Sequence, residues 1–164
     1  MATEIERKFL VASDAWRSLC TRRQQIRDGL VAMTDDRKVR VRILAGKATL
    51  TIKVRLAGNT NTEFEYEIPM ADAEVLLASH CGPHVLTKTR YDVPCAGFLW
   101  QVDVYEGILA GVILAEVELP RAGIHVPLPD WVGKEVTGLP EYRKYNMLNA
   151  RLKRAPPPGG ANEP

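Results

Sequence analysis

Alternating apolar and polar positions, rather than helical periodicity, dominate the chain. This alternation, with many β-branched residues, predicts eight strands, at residues 3–11, 23–33, 37–45, 48–56, 62–69, 84–94, 98–106 and 112–120. Turn-forming stretches such as AGK at 45–47 and AGNTN at 57–61 separate them. Sequential strands joined by tight turns form antiparallel sheets, and eight strands are enough to close a barrel. We therefore expect an α+β protein, mainly β, built on a closed eight-stranded antiparallel barrel.

Three stretches depart from the alternation and favour flanking helices. SDAWRSL at 13–19 opens with a capping candidate, and DAEVLLASH at 72–80 begins with an acidic residue. PEYRKYNMLNARLK at 140–153 places Tyr145 and Leu148 on one helical face, which predicts a C-terminal helix. LPDWVG at 128–133 predicts a short turn before it.

The domain organisation follows from where these patterns stop. Residues 1–153 contain every predicted element and show neither an internal repeat nor a composition shift, so we expect them to form one domain. Residues 154–164 are rich in Pro and Gly and offer almost nothing to bury. This tail is expected to be disordered.

Charged residues occur on the predicted strands as like-signed pairs at positions i and i+2. The pairs are Glu4/Glu6, Arg40/Arg42, Lys53/Arg55, Glu63/Glu65, Lys88/Arg90 and Glu116/Glu118. Residues two apart in a strand share a face, so each pair places two like charges side by side. For any single strand, an ordinary half-solvated sheet is the simpler explanation. Six such strands, three acidic and three basic, instead indicate bound counter-charges.

The signs of these pairs indicate what the counter-charges are. Acidic pairs require cations and basic pairs require anions, so both together fit a metal complex of a polyanion. Hard divalent cations such as Mg²⁺ and Mn²⁺ bind carboxylate and phosphate oxygens together. An eight-stranded barrel has a narrow interior that suits an elongated ligand such as a linear triphosphate. The apolar faces must then point outward, covered by the helices and by the segments around Trp16 and Trp131.

Bulk properties narrow the class of protein further. The net charge is only +2, with 22 basic and 20 acidic residues, which argues against a nucleic-acid partner. No apolar run has membrane-spanning length, and no signal-peptide pattern is present. The three cysteines lack CxxC spacing. We expect a soluble cytoplasmic protein without a membrane partner; a zinc site at HCGPH, 80–84, would lack its second half.

The same residues resemble the CYTH superfamily, the triphosphate tunnel metalloenzymes, and in particular its short bacterial members. Glu4, Glu6 and Lys8 match the ExExK motif at the N-terminus. Further matches follow in family order: VRVRI at 39–43, TIK at 51–53, EFEYEIP at 63–69, KTRY at 88–91, WQVDVYEG at 100–107, AEVELP at 115–120, PDWVGKEVTG at 129–138 and YNMLNARL at 145–152. The resemblance covers about residues 1–153 and implies a tunnel-like barrel of eight antiparallel strands.

The resemblance also implies roles for individual residues. The phosphates would be bound by Lys8, Arg40, Arg42, Lys53, Arg55, Lys88 and Arg90. Divalent metal, Mg²⁺ or Mn²⁺, would be bound or oriented by Glu4, Glu6, Glu63, Glu65, Asp103, Glu116 and Glu118. Lys53, Glu4 and Glu118 would be the catalytic residues. Glu67 lies on the same strand face as Glu63 and Glu65 and could shift their register by two.

The family implies hydrolysis of a triphosphate, most directly inorganic tripolyphosphate to diphosphate and phosphate. The alternatives are a class IV adenylyl cyclase, a thiamine-triphosphate or nucleoside-triphosphate phosphatase, and a polyphosphate-binding module without catalysis. The C-terminal helix is expected to be a packing helix, or else to close one tunnel mouth with Arg143, Lys144 or Arg151 reaching the substrate. Apolar barrel faces left exposed would favour a homodimer.

Overall fold

A computed structural model describes residues 2–155. Its strands are β1 (Ala2–Val11), β2 (Arg22–Met33), β3 (Arg37–Leu44), β4 (Lys47–Arg55), β5 (Thr60–Ile68), β6 (Val85–Cys95), β7 (Phe98–Tyr105), β8 (Ile113–Leu119) and β9 (Val132–Glu135). The α-helices are α1 (Met70–Ser79) and α2 (Lys144–Arg154), and short 3₁₀ helices occupy Ala15–Leu19, Gly107–Leu109 and Pro140–Tyr142. Of the tail predicted to be disordered, residues 156–164 lie outside the described residues.

The first eight strands close into a barrel, which confirms the predicted fold. They pair in the order β5-β4-β3-β2-β6-β7-β8-β1, and β1 also pairs with β5. Every pairing is antiparallel. β1 closes the ring because its residues Ala2 to Ile5 pair with β5 while Ile5 to Leu10 pair with β8.

The ninth strand corrects the predicted turn at 128–133. β9 pairs with β1 at Phe9 and Val11, where β5 no longer runs alongside it. Just beyond β9, the backbone amide of Val136 donates to the carbonyl of Lys8 at 2.8 Å. Buried backbone groups need partners, and this segment supplies them to the second half of β1. A strand of four residues is too short for its alternation to stand out in the sequence.

The helices differ from prediction mainly in their type and limits. The stretch at 13–19 forms only the 3₁₀ helix Ala15–Leu19, and α1 starts two residues before the predicted position. The predicted C-terminal helix is divided because Arg143 adopts extended backbone angles, φ −73° and ψ 128°. Within residues 2–155, no helix has both the length and the apolar character needed to cross a membrane.

Helices and loops cover the apolar outer faces of several barrel strands. Trp16 and Trp131 pack over β1, β6, β7 and β8, where they contact a cluster that includes Phe9, Val93 and Trp100. α1 covers part of β2, β3 and β4. There Gly29 has no room for a side chain, since a Cβ would lie 2.6 Å from the sulfur of Cys81.

Residues 2–155 leave part of the outer surface on β4 and β5 uncovered. Ile52, Phe64 and Tyr66 are exposed there although they are large and apolar. Apolar surface of this kind is common at subunit interfaces. The homodimer stays a prediction, and this face is where it would form.

α2 packs across one end of the barrel interior. Tyr145 and Leu148 contact Leu30, Leu86 and Leu114, which continue the inward-facing rows of their strands. Arg151, at the far end of the helix, is directed away and its Nη1 donates to the carbonyl of Ile108 at 3.3 Å. The interior is therefore a polar chamber that α2 closes at one end with an apolar plug. That Arg143 or Lys144 reaches the substrate stays a prediction.

Candidate functional site

The barrel encloses a cavity of about 510 Å³ that collects most of the predicted site residues. Its acidic lining residues from the predicted set are Glu4, Glu6, Glu63, Glu116 and Glu118. Its basic lining residues from that set are Lys8, Arg40, Arg42, Lys53, Arg55, Lys88 and Arg90. Strand alternation places them on one face of each strand, and barrel closure makes that face the interior. Like-signed charge pairs that lie far apart in the sequence therefore line the same cavity.

Two predicted metal ligands, Glu65 and Asp103, do not line this cavity. The side chain of Glu65 is 46% exposed, and it accepts a hydrogen bond from Thr51 Oγ1 at 3.1 Å. Asp103 is fully buried, with both carboxylate oxygens bonded to Lys88 and Arg90. Glu67 is exposed and pairs with Thr49, whereas Glu65 pairs with Thr51 and Glu63 with Lys53. Glu67 is thus further along β5 from the cavity than Glu65, and it does not displace Glu63 from the site.

One wall of the cavity holds an acidic cluster around a single ammonium group. Lys53 Nζ donates to Glu4 and lies 3.6 Å from Glu6 Oε1 and 3.5 Å from Glu63 Oε2. Burial disfavours the charged form of Lys53, but these carboxylates outweigh it and raise the pKa of the ammonium. Burial and the adjacent Glu6 raise the pKa of Glu4, and Lys53 offsets this only in part. Arg40 Nη2 also lies 3.7 Å from Glu63 Oε1, so three carboxylates face two cations and the wall keeps a net negative charge.

Positive charge predominates around Asp28, a residue that the sequence pattern did not single out. Its oxygens accept from Arg42 at 2.7 and 3.0 Å and from Lys144 Nζ at 2.6 Å. Burial opposes ionisation, yet these cations hold the pKa of Asp28 well below its usual range. Burial lowers the pKa of Lys144, and Lys88 and Arg40 nearby lower it further while Asp28 opposes them. The sequence does mark Asp28 as unusual, because it occupies an apolar position of the alternation, between Ile26 and Leu30.

A third cluster joins the basic pair of β6 to β8. Lys8 Nζ lies 3.2 Å from Glu116 Oε1, and Arg90 Nη2 lies 3.5 Å from Glu116 Oε2. Burial works against the charged carboxylate, but Lys8, Lys88 and Arg90 outweigh it and lower the pKa of Glu116. Glu116 is therefore ionised at neutral pH and bridges the acidic and basic sides of the chamber.

Three cations that line the cavity have no carboxylate within 4.0 Å anywhere in residues 2–155: Lys38, Arg55 and Arg143. Burial and the neighbouring Arg55 lower the pKa of Arg143, whose Nε is buried without a hydrogen-bond partner. Sequence reasoning assigned no role to Lys38 and treated Arg143 as an alternative only. Unpaired positive charge inside the barrel cavity indicates a place for an anion.

The acidic wall has the chemistry of a site for a hard cation. Glu4, Glu6 and Glu63 supply only carboxylate oxygens and already surround the positive charge of Lys53. As they stand, no group of three acidic, His or Cys side chains within residues 2–155 has metal-binding geometry. This includes the zinc site considered at 80–84. His84 Nε2 there donates to Asn149 Oδ1 at 2.9 Å. The carboxylates therefore fit a divalent cation by donor type and by the charge they gather.

Comparison with known families gives the same assignment as the barrel and its charged interior. A model of the CYTH domain matches residues 2–146, most of the chain. The chain belongs to the CYTH domain family. The ExExK match at Glu4, Glu6 and Lys8 therefore lies within a genuine family domain.

Curated relatives of this CYTH protein carry a specific activity in their names. An inorganic triphosphatase of Acetivibrio thermocellus is 40% identical over 153 residues, which cover 93% of this chain and 97% of the relative. An inorganic triphosphatase of Nitrosomonas europaea is 35% identical over 146 residues, covering 86% and 93% of the two chains. A crystal structure of an inorganic triphosphatase matches with a TM-score of 0.64 and 30% identity, over 90% of this chain and 95% of that one.

Proposed function

We propose that this CYTH protein is a divalent-metal-dependent triphosphatase that hydrolyses inorganic tripolyphosphate to diphosphate and phosphate. The observation that carries the proposal is the cavity of about 510 Å³ whose acidic and basic walls face each other inside the barrel. A linear chain of phosphates can lie along such a chamber with its charge neutralised on several sides. The relatives named as inorganic triphosphatases, 40% and 35% identical to this chain, support the same substrate.

The acidic wall is the proposed metal site. We assign the metal to Glu4, Glu6 and Glu63 of this wall together with Glu116 and Glu118, which also line the cavity. Mg²⁺ or Mn²⁺ bound there would supply charge withdrawal from phosphate oxygens and a water molecule of lowered pKa. Glu65 and Asp103 do not line the cavity and are left out of this set. Asp103 instead holds Lys88 and Arg90 in position.

The basic residues are proposed to bind and orient the phosphate chain. Arg40, Arg42 and Arg90 present planar guanidinium groups that can contact two phosphate oxygens at once. Lys8, Lys53 and Lys88 add point charges, and Lys53 lies at the junction with the acidic wall, where bond cleavage would occur. Phosphoryl transfer needs mainly positioning and charge stabilisation, so the chemistry requires no Ser or Cys nucleophile.

The plugged end of the barrel favours a bare phosphate chain over a nucleotide. Tyr145 and Leu148 close that end with apolar packing. A nucleoside would have to remain outside the open end while only its phosphates entered. This arrangement supports tripolyphosphate ahead of ATP or thiamine triphosphate. A cytoplasmic location and the lack of a nucleic-acid partner stay predictions.

One assay tests the proposal against its alternatives. Purified protein is incubated with tripolyphosphate, ATP or thiamine triphosphate, each with Mg²⁺ or Mn²⁺ and with a chelator as control. We expect metal-dependent release of one phosphate from tripolyphosphate, at a higher kcat/KM than from the other two. Cyclic AMP formed from ATP would instead identify a cyclase. Tight binding of tripolyphosphate without any product would identify a non-catalytic module.

A further inference from the structure

Lys38 extends the inward-facing row of β3 beyond the two predicted phosphate-binding arginines. It lies two residues before Arg40 on the same strand face and lines the cavity. Its register partner on β4 is another inward-facing cation, Lys53. Two lysines in direct cross-strand pairing destabilise a sheet unless something between them supplies negative charge.

No such charge comes from the described part of the protein. Lys53 has Glu4 as its partner, and Lys8 has Glu116 at 3.2 Å, whereas no carboxylate in residues 2–155 lies within 4.0 Å of Lys38. Burial, with help from Lys53, Arg40 and Lys8, lowers the pKa of Lys38 to about 8. The folded protein thus keeps an ammonium where its own electrostatics disfavour one.

A bound anion would supply the negative charge that Lys38 lacks within the described residues. The missing partner must be anionic, must reach the interior, and must carry enough charge to satisfy Lys38 together with Lys53, Lys8 and Arg40. A phosphate group of a condensed phosphate has these properties, because its oxygens can accept from several cations at once. A solvated surface role does not fit, since Lys38 lines the enclosed chamber and is not fully exposed.

We propose that Lys38 is a substrate-binding residue of the tunnel, which contacts a phosphate group of the polyanion beside Lys53 and strengthens its binding. The inference rests on the proposed function and adds a residue to the phosphate-binding set. Lys38 acts on affinity rather than on bond cleavage, because the carboxylates of the acidic wall lie on β1 and β5, and neither strand pairs with β3. Removing its charge should weaken substrate binding and leave the chemical step intact.

The fold predicts a second, opposite effect of the same substitution. Lys38→Met keeps most of the length of the side chain but removes a charge that burial and the neighbouring Lys53, Arg40 and Lys8 disfavour. The substrate-free protein should therefore become more stable, with a higher Tm, while its affinity for tripolyphosphate falls. A residue with a merely structural role would lose stability and affinity together, so the two readouts separate the explanations.

The experiment compares Lys38→Met, Lys38→Gln and Lys38→Arg with Lys134→Met, which removes an exposed lysine outside the cavity. We expect KM for tripolyphosphate to rise about tenfold in the first two variants, with kcat within about twofold of wild type. Lys38→Arg should restore most of the affinity, and Lys134→Met should match wild type. Calorimetric titration of tripolyphosphate without divalent metal should show the same order of Kd values. An unchanged KM in Lys38→Met and Lys38→Gln, or a loss that Lys38→Arg does not rescue, would overturn the inference.

Failure of this inference differs from failure of the proposed function. If wild type hydrolyses tripolyphosphate and the Lys38 variants match it in KM and Kd, the function stands and the role of Lys38 is rejected. If wild type neither binds nor hydrolyses tripolyphosphate, the proposed function is rejected, and with it the substrate named for Lys38. If wild type binds without turnover, the Kd values alone decide the role of Lys38.

Discussion

Arg90 and Asp103 are joined by two hydrogen bonds across the pairing of β6 with β7. Arg90 Nε donates to Oδ1 at 2.7 Å and Nη2 donates to Oδ2 at 2.8 Å, between residues that are register partners. Lys88 Nζ also donates to Oδ2 at 2.5 Å. Burial works against the charged form of Asp103, but Lys88 and Arg90 outweigh it and lower its pKa. Asp103 therefore fixes the direction of two cations that line the cavity.

Asp103→Asn should destabilise the protein strongly. The substitution leaves Lys88 without its carboxylate partner and Arg90 with only Glu116, at 3.5 Å. Removing one partner of a buried ion pair costs about 3–5 kcal/mol. Urea unfolding followed by circular dichroism measures the loss. Asp130→Asn, at an exposed position without an ion pair in residues 2–155, is the matched control and should change little. Equal midpoints for the two variants would show that Asp103 does not hold the basic pair in place.

Most of the fold could be predicted because its signals are local and repeated. Eight strands of alternating residues with tight turns between them have few arrangements other than a barrel. β9 was missed because Val132–Glu135 is short and is a strand only through its pairing with β1. The division of the last helix at Arg143 was also missed, since the helical pattern of 140–153 runs through this position without interruption.

The site was predictable as far as its charges came in pairs. Glu4, Glu6 and Lys8 could be read from the sequence because they share one strand face within five residues. Asp28 and Lys144 belong to no like-signed pair, and the hydrogen bond that joins them spans 116 positions of the chain. Pairing between distant elements is a property of the closed barrel, and no pattern within one strand reveals it.

Glu4→Gln and Glu118→Gln should each slow tripolyphosphate hydrolysis by roughly tenfold to a thousandfold, the scale expected when a charge-stabilising group is removed. Both carboxylates line the cavity and belong to the proposed metal site. Steady-state phosphate release across a range of Mg²⁺ and Mn²⁺ concentrations measures the effect. Glu67→Gln, at an exposed position outside the cavity, is the control and should keep wild-type rates. Near-normal turnover in both cavity variants would refute the assignment.

The plug formed by α2 should contribute to stability like any other core. Leu148 is fully buried against Tyr145 and the inward-facing leucines. Leu148→Ala should therefore lower the free energy of unfolding by about 2–5 kcal/mol, the cost of a large buried aliphatic side chain and the cavity it leaves. Leu128→Ala removes the same atoms from a residue that is 50% exposed, and it should cost much less. Similar losses in the two variants, measured by urea unfolding, would mean that α2 is not packed as described.

Lys38 should give the substrate-free protein a distinctive dependence of stability on pH. Burial is the main reason that its pKa is lowered. Lys53 on β4, Arg40 on β3 and Lys8 on β1 lower the pKa further, and Glu6 on β1 opposes them. Its pKa is about 8 in the folded state, against 10.5 for an unperturbed lysine. Below pH 8 both states carry the proton, and the folded state bears the unfavourable charge. Between these two pKa values only the unfolded chain stays protonated, so stability from this group rises with pH.

Lys38→Met removes the contribution of Lys38 to stability. The difference in the free energy of unfolding between variant and wild type therefore isolates that contribution. The variant should be the more stable protein at pH 7, and its advantage should shrink as the pH rises through 8 towards 10. Urea unfolding of both proteins across this range, without phosphate or divalent metal, measures the difference in their free energies of unfolding. Titrating groups that both proteins share contribute equally and cancel in this difference. Lys134→Met should follow wild type throughout. A difference that stays constant with pH would mean that Lys38 keeps an ordinary pKa in the folded protein, and a difference that grows would give its shift the opposite sign.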